Sequence, residues 1–269
     1  MSESPIDRAQ SASTPPAGYR RTRIGRAEVI ADDAAMPFVE AAVIRSGTLY
    51  DHAARHPEAE AIQGRSTVYV APGPGGGRWL VRRLTHGGLL APLTRDRFLR
   101  LGRPRPFNEL LLSHRFRELG IATPRVAAAA IYPSGPIYRG EVAREFIAEA
   151  DDLAARLFAG DGIPEDPRRE AMAAAGRLLR SLFAAGVVHR DLNLRNVLVE
   201  RSAAGPAARI LDIEKCSIQP ALSEGQRRRM IERFRRSARR FEERGGRPIG
   251  EAGWHAFFSA LEDFSADAV

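Results

Sequence analysis

Between residues 59 and 84 the apolar positions fall in short runs of strand length. Ala61-Ile62-Gln63, Thr67-Val68-Tyr69-Val70 and Trp79-Leu80-Val81 each predict a β-strand. The Pro- and Gly-rich stretch 72–78 lies between the second and third, so those two are expected to form an antiparallel hairpin. Beyond Pro104 and Pro106 the spacing changes. Residues 107–119 carry apolar side chains at helical intervals and stop at Gly120, which predicts a helix. Two further strands are expected at 126–132 and 141–147, joined by the turn-like Pro133-Ser134-Gly135-Pro136.

The second half has a different rhythm. Met172, Ala175, Leu179, Leu182 and Phe183 line one stripe of a helix over 168–185, and Gly186 stands where a left-handed residue would end it. Val187-Val188-His189-Arg190-Asp191 follows at once, then two strand-like runs, 196–199 and 209–212, around the polar turn 201–207. A long arginine-rich helix is expected over 225–244, with Met230, Ile231, Phe234, Ala238 and Phe241 as its apolar stripe.

Composition narrows the possibilities. A chain of 269 residues that is 44% hydrophobic can bury a core and suits one large domain or two lobes. Residues 1–20 are polar and Pro-bearing and are expected to form a disordered tail. The single cysteine, Cys216, excludes an internal disulfide and a cysteine-built metal site. No apolar run is long enough to span a bilayer and the first residues do not resemble a signal peptide, so the cytoplasm is the expected location. A net charge of +8 favours an anionic partner. Of 41 basic side chains only Lys215 is lysine, and the glycine run 73–77 leads into Arg78-Trp79, so the lysine of a P-loop is missing. Lys215 is also the only residue able to form a Schiff base, and its neighbours do not suggest a cofactor site.

One segment carries chemistry. His189-Arg190-Asp191-Leu192-Asn193-Leu194-Arg195-Asn196 matches the H-R-D-L-x-x-x-N loop of phosphoryl-transfer enzymes, and Asp212 follows after a hairpin of suitable length. Phosphoryl transfer needs a carboxylate to orient and deprotonate the acceptor hydroxyl, and hard oxygen ligands to hold Mg2+ against the phosphates of ATP. Asp191 is the expected base, with His189 beside it in the catalytic set, and Asn196 and Asp212 are the expected metal ligands. Upstream, such a site calls for a lysine paired with a helix glutamate, and no lysine is available. Arg82 occupies that place with Glu109 as its partner, and alternation along the strand allows only one of Arg82 and Arg83 to face a nucleotide. Gly64, in Gly64-Arg65-Ser66-Thr67, is the candidate for a phosphate-covering turn.

These residues resemble the lipopolysaccharide kinase family, in particular the enzymes that phosphorylate Kdo, 3-deoxy-D-manno-octulosonic acid. The resemblance covers roughly residues 61–244. It rests on Val81-Arg82-Arg83 leading to His86-Gly87-Gly88-Leu89-Leu90, on Thr94-Arg95-Asp96-Arg97-Phe98-Leu99 and on Arg105-Pro106-Phe107-Asn108-Glu109. It continues through the 189–198 segment, Ile210-Leu211-Asp212-Ile213-Glu214-Lys215 and Arg233-Phe234-Arg235-Arg236-Ser237. In that family an arginine at the position of Arg82 is usual; the last acidic motif, D-F-D-R there, is Asp212-Ile213-Glu214-Lys215 here. The resemblance implies an α+β, protein-kinase-like bilobal fold, with a strand-rich N-lobe (21–148) holding one αC-type helix and a compact helical C-lobe (149–269). It implies ATP-dependent transfer, with Mg2+, to the 4-hydroxyl of Kdo in a Kdo-containing lipid A precursor at the cytoplasmic face of the inner membrane. Adenine is expected against the 145–148 backbone, with Phe146 and Ala148 as contacts and Leu198 in the apolar floor.

The chain after Asp212 is too short for a peptide-docking lobe and holds no A-P-E sequence, which favours a small-molecule or glycolipid acceptor over a protein. An aminoglycoside-type phosphotransferase is the alternative enzyme. A catalytically inactive, kinase-like anion binder is the alternative outside catalysis. Nucleic acid is not an expected partner, because no reading motif or interleaved aromatics accompany the arginines. The basic segment 227–247 has Glu232, Glu242 and Glu243 as its only acids; besides packing its apolar stripe, it could meet an anionic membrane surface.

Overall fold

The computed structural model describes residues 14–64, 66–85, 96–159, 162–201, 205–244 and 247–262. Most of the expected tail, the motif 86–90 and residues Thr94 and Arg95 therefore lie outside the described residues. The chain divides into two units. One comprises the residues up to His114 together with Arg125–Phe146; the other comprises Arg115–Pro124 together with the chain from Ile147 onward.

The first unit is built on an antiparallel sheet. Its strands are β1 (Tyr19–Ile24), β2 (Ala27–Asp32), β3 (Glu60–Ile62), β4 (Val68–Pro72), β5 (Arg78–Arg83), β6 (Arg97–Leu99), β7 (Val126–Ser134) and β8 (Ile137–Glu145). They run in the order β1-β2-β7-β8-β5-β4-β3, with β6 also paired to β8. The predicted hairpin is present as β4–β5, with Tyr69 opposite Val81. The second predicted hairpin is β7–β8, and its partner strand starts earlier than expected because the turn closes at Gly135 (φ 60°).

Both faces of this sheet are covered, and the alternation of side chains shows how. On one face Trp79 and Val81 of β5, Ala128 and Ala130 of β7 and Val29 of β2 form a core with Met36, Val39 and Val43 of α1 (Met36–Ser46) and Leu49 and Ala53 of α2 (Leu49–Arg55). On the other, Leu84, Ala129, Ile131 and Val142 meet Phe107 and Leu110 of α3 (Arg105–Glu118). A strand buried on both sides reads as a continuous apolar run, which is why β7 is Val-Ala-Ala-Ala-Ala-Ile. The expected αC-type helix is α3; α1 and α2 join it in this unit, and β1 starts at Tyr19, within the segment expected as a tail. Residues 14–58 carry no clear element signal in the sequence. Their helices are short and their strands β1 and β2 are rich in Arg and Ala, so neither periodicity stands out.

The second unit contains α4 (Leu153–Phe158), α5 (Glu165–Ala184), α6 (Glu224–Glu242) and α7 (Gly250–Glu262). Its short strands are β9 (Ala150–Asp152), β10 (Val187–His189), β11 (Val197–Glu200), β12 (Ala207–Ile210) and β13 (Cys216–Ile218). The segment Arg115–Pro124 joins this unit through its hydrogen bonds: Ile210 N–H donates to Ala122 O and the buried Thr123 hydroxyl donates to Ile210 O. Helix α7, unassigned from sequence, lies along α5. At the crossing, the absence of a side chain on Gly176 lets the Phe257 backbone approach so closely that a Cβ there would sit 2.3 Å from its oxygen. Helix α6 buries Met230, Phe234 and Ala238, and Phe234 stacks on Phe257 with centroids 5.0 Å apart. Its Ser223–Gln226 capping box fixes where it starts.

Candidate active site

Two backbone ladders assemble the second unit's site. Gly186 ends α5 at φ 68°, and the Gln219 carbonyl lies so near that any Cβ would meet it at 1.9 Å. That close approach opens the antiparallel β10–β13 pair, in which His189 lies opposite Cys216. Asp191, just past β10, and Lys215, just before β13, are thereby brought side by side. A second ladder, β11–β12, is prolonged by Leu211 N–H donating to Asn196 O at 2.8 Å, so Asn196 and Asp212 sit at one end of the same hairpin.

Within this frame the loop is held from inside. His189 is fully buried; its Nε2 lies 3.1 Å from Leu211 O and its Nδ1 accepts the Asp191 N–H at 3.2 Å. Burial holds the imidazole below its ordinary pKa, against the pull of Asp212 and Asp191, so it remains neutral with its proton on Nε2. The Asp191 carbonyl accepts two side-chain amides, Asn193 Nδ2 at 2.9 Å and Asn196 Nδ2 at 2.8 Å. Asn193 Oδ1 in turn caps the short helical turn Leu194–Asn196 by accepting Arg195 N–H. With its nitrogen engaged, Asn196 keeps its amide oxygen to accept or to coordinate.

The two aspartates converge. Lys215 Nζ lies 2.7 Å from Asp191 Oδ2 and 3.5 Å from Asp212 Oδ2. Its hydrogen bond holds the Asp191 carboxyl below the usual carboxylate range, while the same contact raises the Lys215 ammonium. Asp212 adopts the left-handed backbone (φ 54°, ψ 42°), which only Glu149 shares among the described non-glycine residues with positive φ. Such a conformation is costly for aspartate and occurs where the surroundings impose it. Burial pushes the neighbouring Cys216 thiol up to about 12, so it does not serve as a thiolate nucleophile.

A cation suits this place. The Lys215 ammonium already occupies the point shared by both carboxylates, and Asn196, at the same end of the hairpin as Asp212, offers a neutral oxygen. Among the described residues no three His, Cys, Asp or Glu side chains gather as a metal cage. Mg2+ is held by one or two carboxylates with positions left open for phosphate oxygens, so Asp212 together with the amide oxygen of Asn196 fits that ion.

In the first unit, Arg82 Nη2 pairs with Glu109 Oε2 at 2.6 Å, and the glutamate side chain is only 4% exposed. Arg83 points to the opposite face, as alternation predicts. It reaches Glu141 and Asp51 there and lies over the Tyr50 ring, 4.5 Å from the centroid. Neither arginine is a merely solvated charge. Gly64 is in the β3–β4 turn, next to Arg65, which lies outside the described residues. The Phe146 N–H is taken by Arg78 O at 2.9 Å, and the Arg78 guanidinium covers its ring. Leu198 is half-buried on β11, opposite Arg209 and Asp152.

Two features were not legible as functional from sequence. The Arg83–Glu141 pair joins strands far apart in sequence and has no motif. Lys215 is not marked as functional by any motif, although its being the only lysine, three residues after Asp212, is a usable signal.

Comparison with known proteins completes the description. The family model described as lipopolysaccharide kinase (Kdo/WaaP) family matches residues 59–261. A "3-deoxy-D-manno-octulosonic acid kinase" of Haemophilus influenzae (strain PittEE) is 32% identical over 162 residues, 58% of this chain and 65% of that protein. One of the same name from Stenotrophomonas maltophilia (strain K279a) is 33% identical over 145 residues, 53% of this chain and 55% of the relative. The chain thus aligns with less than two thirds of the length of these relatives. Among solved structures, "WaaP in complex with acyl carrier protein" superposes with a TM-score of 0.53 at 16% identity, covering 90% of this chain and 88% of that one, which shows a shared fold.

Proposed function

Because the chain belongs to the lipopolysaccharide kinase (Kdo/WaaP) family, we propose that it transfers the terminal phosphoryl group of ATP to a Kdo hydroxyl, the 4-hydroxyl, of a Kdo-containing lipid A precursor. The observation that carries this reading is the convergence of the Asp191 and Asp212 carboxylates on one cationic point, with Asn196 fixed by the Asp191 carbonyl.

Asp191 is half exposed and held ionised, so its carboxylate is ready to orient the sugar hydroxyl and take its proton. The sugar oxygen then bonds to the γ-phosphorus while the bond from that phosphorus to the bridging oxygen of the β-phosphate breaks, its electron pair leaving with ADP. Asn196 and Asp212 supply the oxygens that hold Mg2+, whose charge neutralises the phosphates when bound. His189 does not react; it ties the Asp191 backbone to Leu211 and so sets the spacing between base and metal ligand. In the first unit Arg82, oriented by Glu109, is the phosphate-neutralising cation, Gly64 lies in the phosphate-covering turn and Phe146 is an adenine contact; in the second unit Ala148 and Leu198 are adenine contacts.

The acceptor is lipid-linked in this reading, and a membrane contact is expected. No helix among the described residues is long and apolar enough to cross a membrane. Arg229, Arg236, Arg239 and Arg240 of α6 are exposed on the face opposite Met230, Phe234 and Ala238 and are suited to anionic headgroups at the inner leaflet.

The test is incubation of the purified protein with ATP, Mg2+ and Kdo-lipid A, alongside an aminoglycoside and a generic protein. Phosphate is expected on Kdo alone, and phosphorus NMR of the product identifies the hydroxyl. Asp191→Ala should lower kcat by about 10²–10⁴-fold while nucleotide binding persists. Phosphate appearing only on the aminoglycoside would overturn the acceptor.

A further inference from the structure

In a chain that uses arginine for nearly every basic position, the only lysine has its ammonium 2.7 Å from the proposed base and 3.5 Å from the proposed metal ligand. An ammonium carries three donors, and two directions are taken by Asp191 and Asp212. The Lys215 side chain is 46% exposed, so the remaining direction opens outward. A guanidinium, as in the D-F-D-R form of this motif, offers a planar fork suited to one carboxylate, whereas a compact ammonium is more readily shared among several oxygens.

The neutral partner on the loop cannot supply the charge. Asn193, two residues after Asp191, spends its amide on the Asp191 carbonyl and the Arg195 N–H. The positive charge instead arrives from the following segment, placed by the pairing of His189 with Cys216.

We propose that Lys215 is a catalytic residue, donating to an oxygen of the transferring phosphoryl group while it holds Asp191. This rests on the phosphoryl-transfer reading above. When the acceptor proton passes to Asp191, that carboxylate becomes neutral and releases its hold on the ammonium. The negative charge of the exchange now sits on the phosphoryl oxygens and the departing ADP, and the ammonium follows it there. Lys215 stays protonated throughout; it moves charge compensation from the base to the phosphate without moving a proton.

Two variants test this in the full-length protein, Lys215→Met and Lys215→Arg, with turnover on Kdo-lipid A and calorimetric titration with ADP and the non-hydrolysable triphosphate AMP-PNP. Lys215→Met is expected to lower kcat by about 100-fold. Wild type is expected to bind AMP-PNP more tightly than ADP, and Lys215→Met should erase that difference, leaving ADP affinity and the thermal midpoint unchanged. Lys215→Arg should retain the preference with reduced turnover. Wild-type kcat and an intact AMP-PNP preference in Lys215→Met would overturn the proposal and leave the kinase reading standing. Equal weakening of both nucleotides, or loss of folding, would also overturn it, by assigning Lys215 a structural role. A wild-type protein that binds nucleotide but transfers phosphate to no acceptor would remove the kinase reading and this proposal together.

Discussion

Arg82 Nη2 donates to Glu109 Oε2 across 2.6 Å, joining the end of β5 to helix α3 over 27 residues of sequence. Removing the arginine leaves a carboxylate that is nearly inaccessible to water. Arg82→Met is therefore expected to cost about 3 kcal/mol of stability and to weaken nucleotide binding. The double variant Arg82→Met/Glu109→Leu should regain most of the stability and none of the affinity. Denaturant unfolding and calorimetry on both proteins check this. Full recovery of affinity in the double variant would show that Arg82 braces the helix without touching phosphate.

On the other face of the sheet, Glu141 is fully buried and accepts the Tyr50 N–H at 2.9 Å as well as Arg83 Nε and Nη2 at 3.3 Å. Burial raises its pKa, and Tyr50 and Arg83 pull it back down. Glu141→Ala leaves Arg83 and the start of α2 without their shared acceptor, and is expected to cost about 3 kcal/mol in urea unfolding. Glu141→Gln keeps an acceptor for Tyr50 and should cost less. Equal losses in the two variants would mean that the charge carries the whole effect.

His189 makes stability depend on pH. Its depressed pKa means that, as pH falls, the unfolded chain takes up the proton first. The imidazole's contribution is thus complete above about pH 6.5 and declines below it towards the folded value, with a slope of at most about 1.4 kcal/mol per pH unit. His52, likewise lowered by burial, adds in the same direction. His189→Gln removes the His189 part, so the stability gap between wild type and variant should narrow as pH drops from about 7.5 to about 5.5. A gap that stays constant across this range would show that the imidazole titrates alike in both states.

Helix interiors normally gain roughly 1 kcal/mol when glycine becomes alanine. At Gly176 the sign is expected to reverse, because the added carbon would press on the Phe257 carbonyl of α7 at 2.3 Å. Gly176→Ala should lose about 1–3 kcal/mol, read as a lowered thermal midpoint. A raised midpoint would mean that α7 can shift away at little cost.

The parts of the fold that were legible in the sequence are those with local signatures. The β4–β5 hairpin, the helix ending at Gly120, the helix ending at Gly186 and the loop 189–196 each carry their turn, cap or motif within a few residues. The 189–196 motif and the hairpin after it also single out Asp191, Asn196 and Asp212 as candidates, because hairpin geometry ties their positions to their spacing. Strands β1 and β2 and helices α1 and α2 escaped notice since their burial is decided by β7 and β8, a hundred residues away in sequence. Lys215 is placed by strand pairing rather than by its sequence neighbours, since the β10–β13 ladder sets it beside Asp191, 24 residues earlier.

The match to the family model starts at residue 59, yet the layer that covers one side of the first unit's sheet is made largely of Val29, Met36, Val39, Val43 and Leu49. An expression fragment trimmed to the family boundary would uncover Trp79, Val81 and Ala143 to solvent and leave β7 as a raw edge, inviting aggregation rather than a minimal enzyme. The smallest piece worth producing begins ahead of Tyr19.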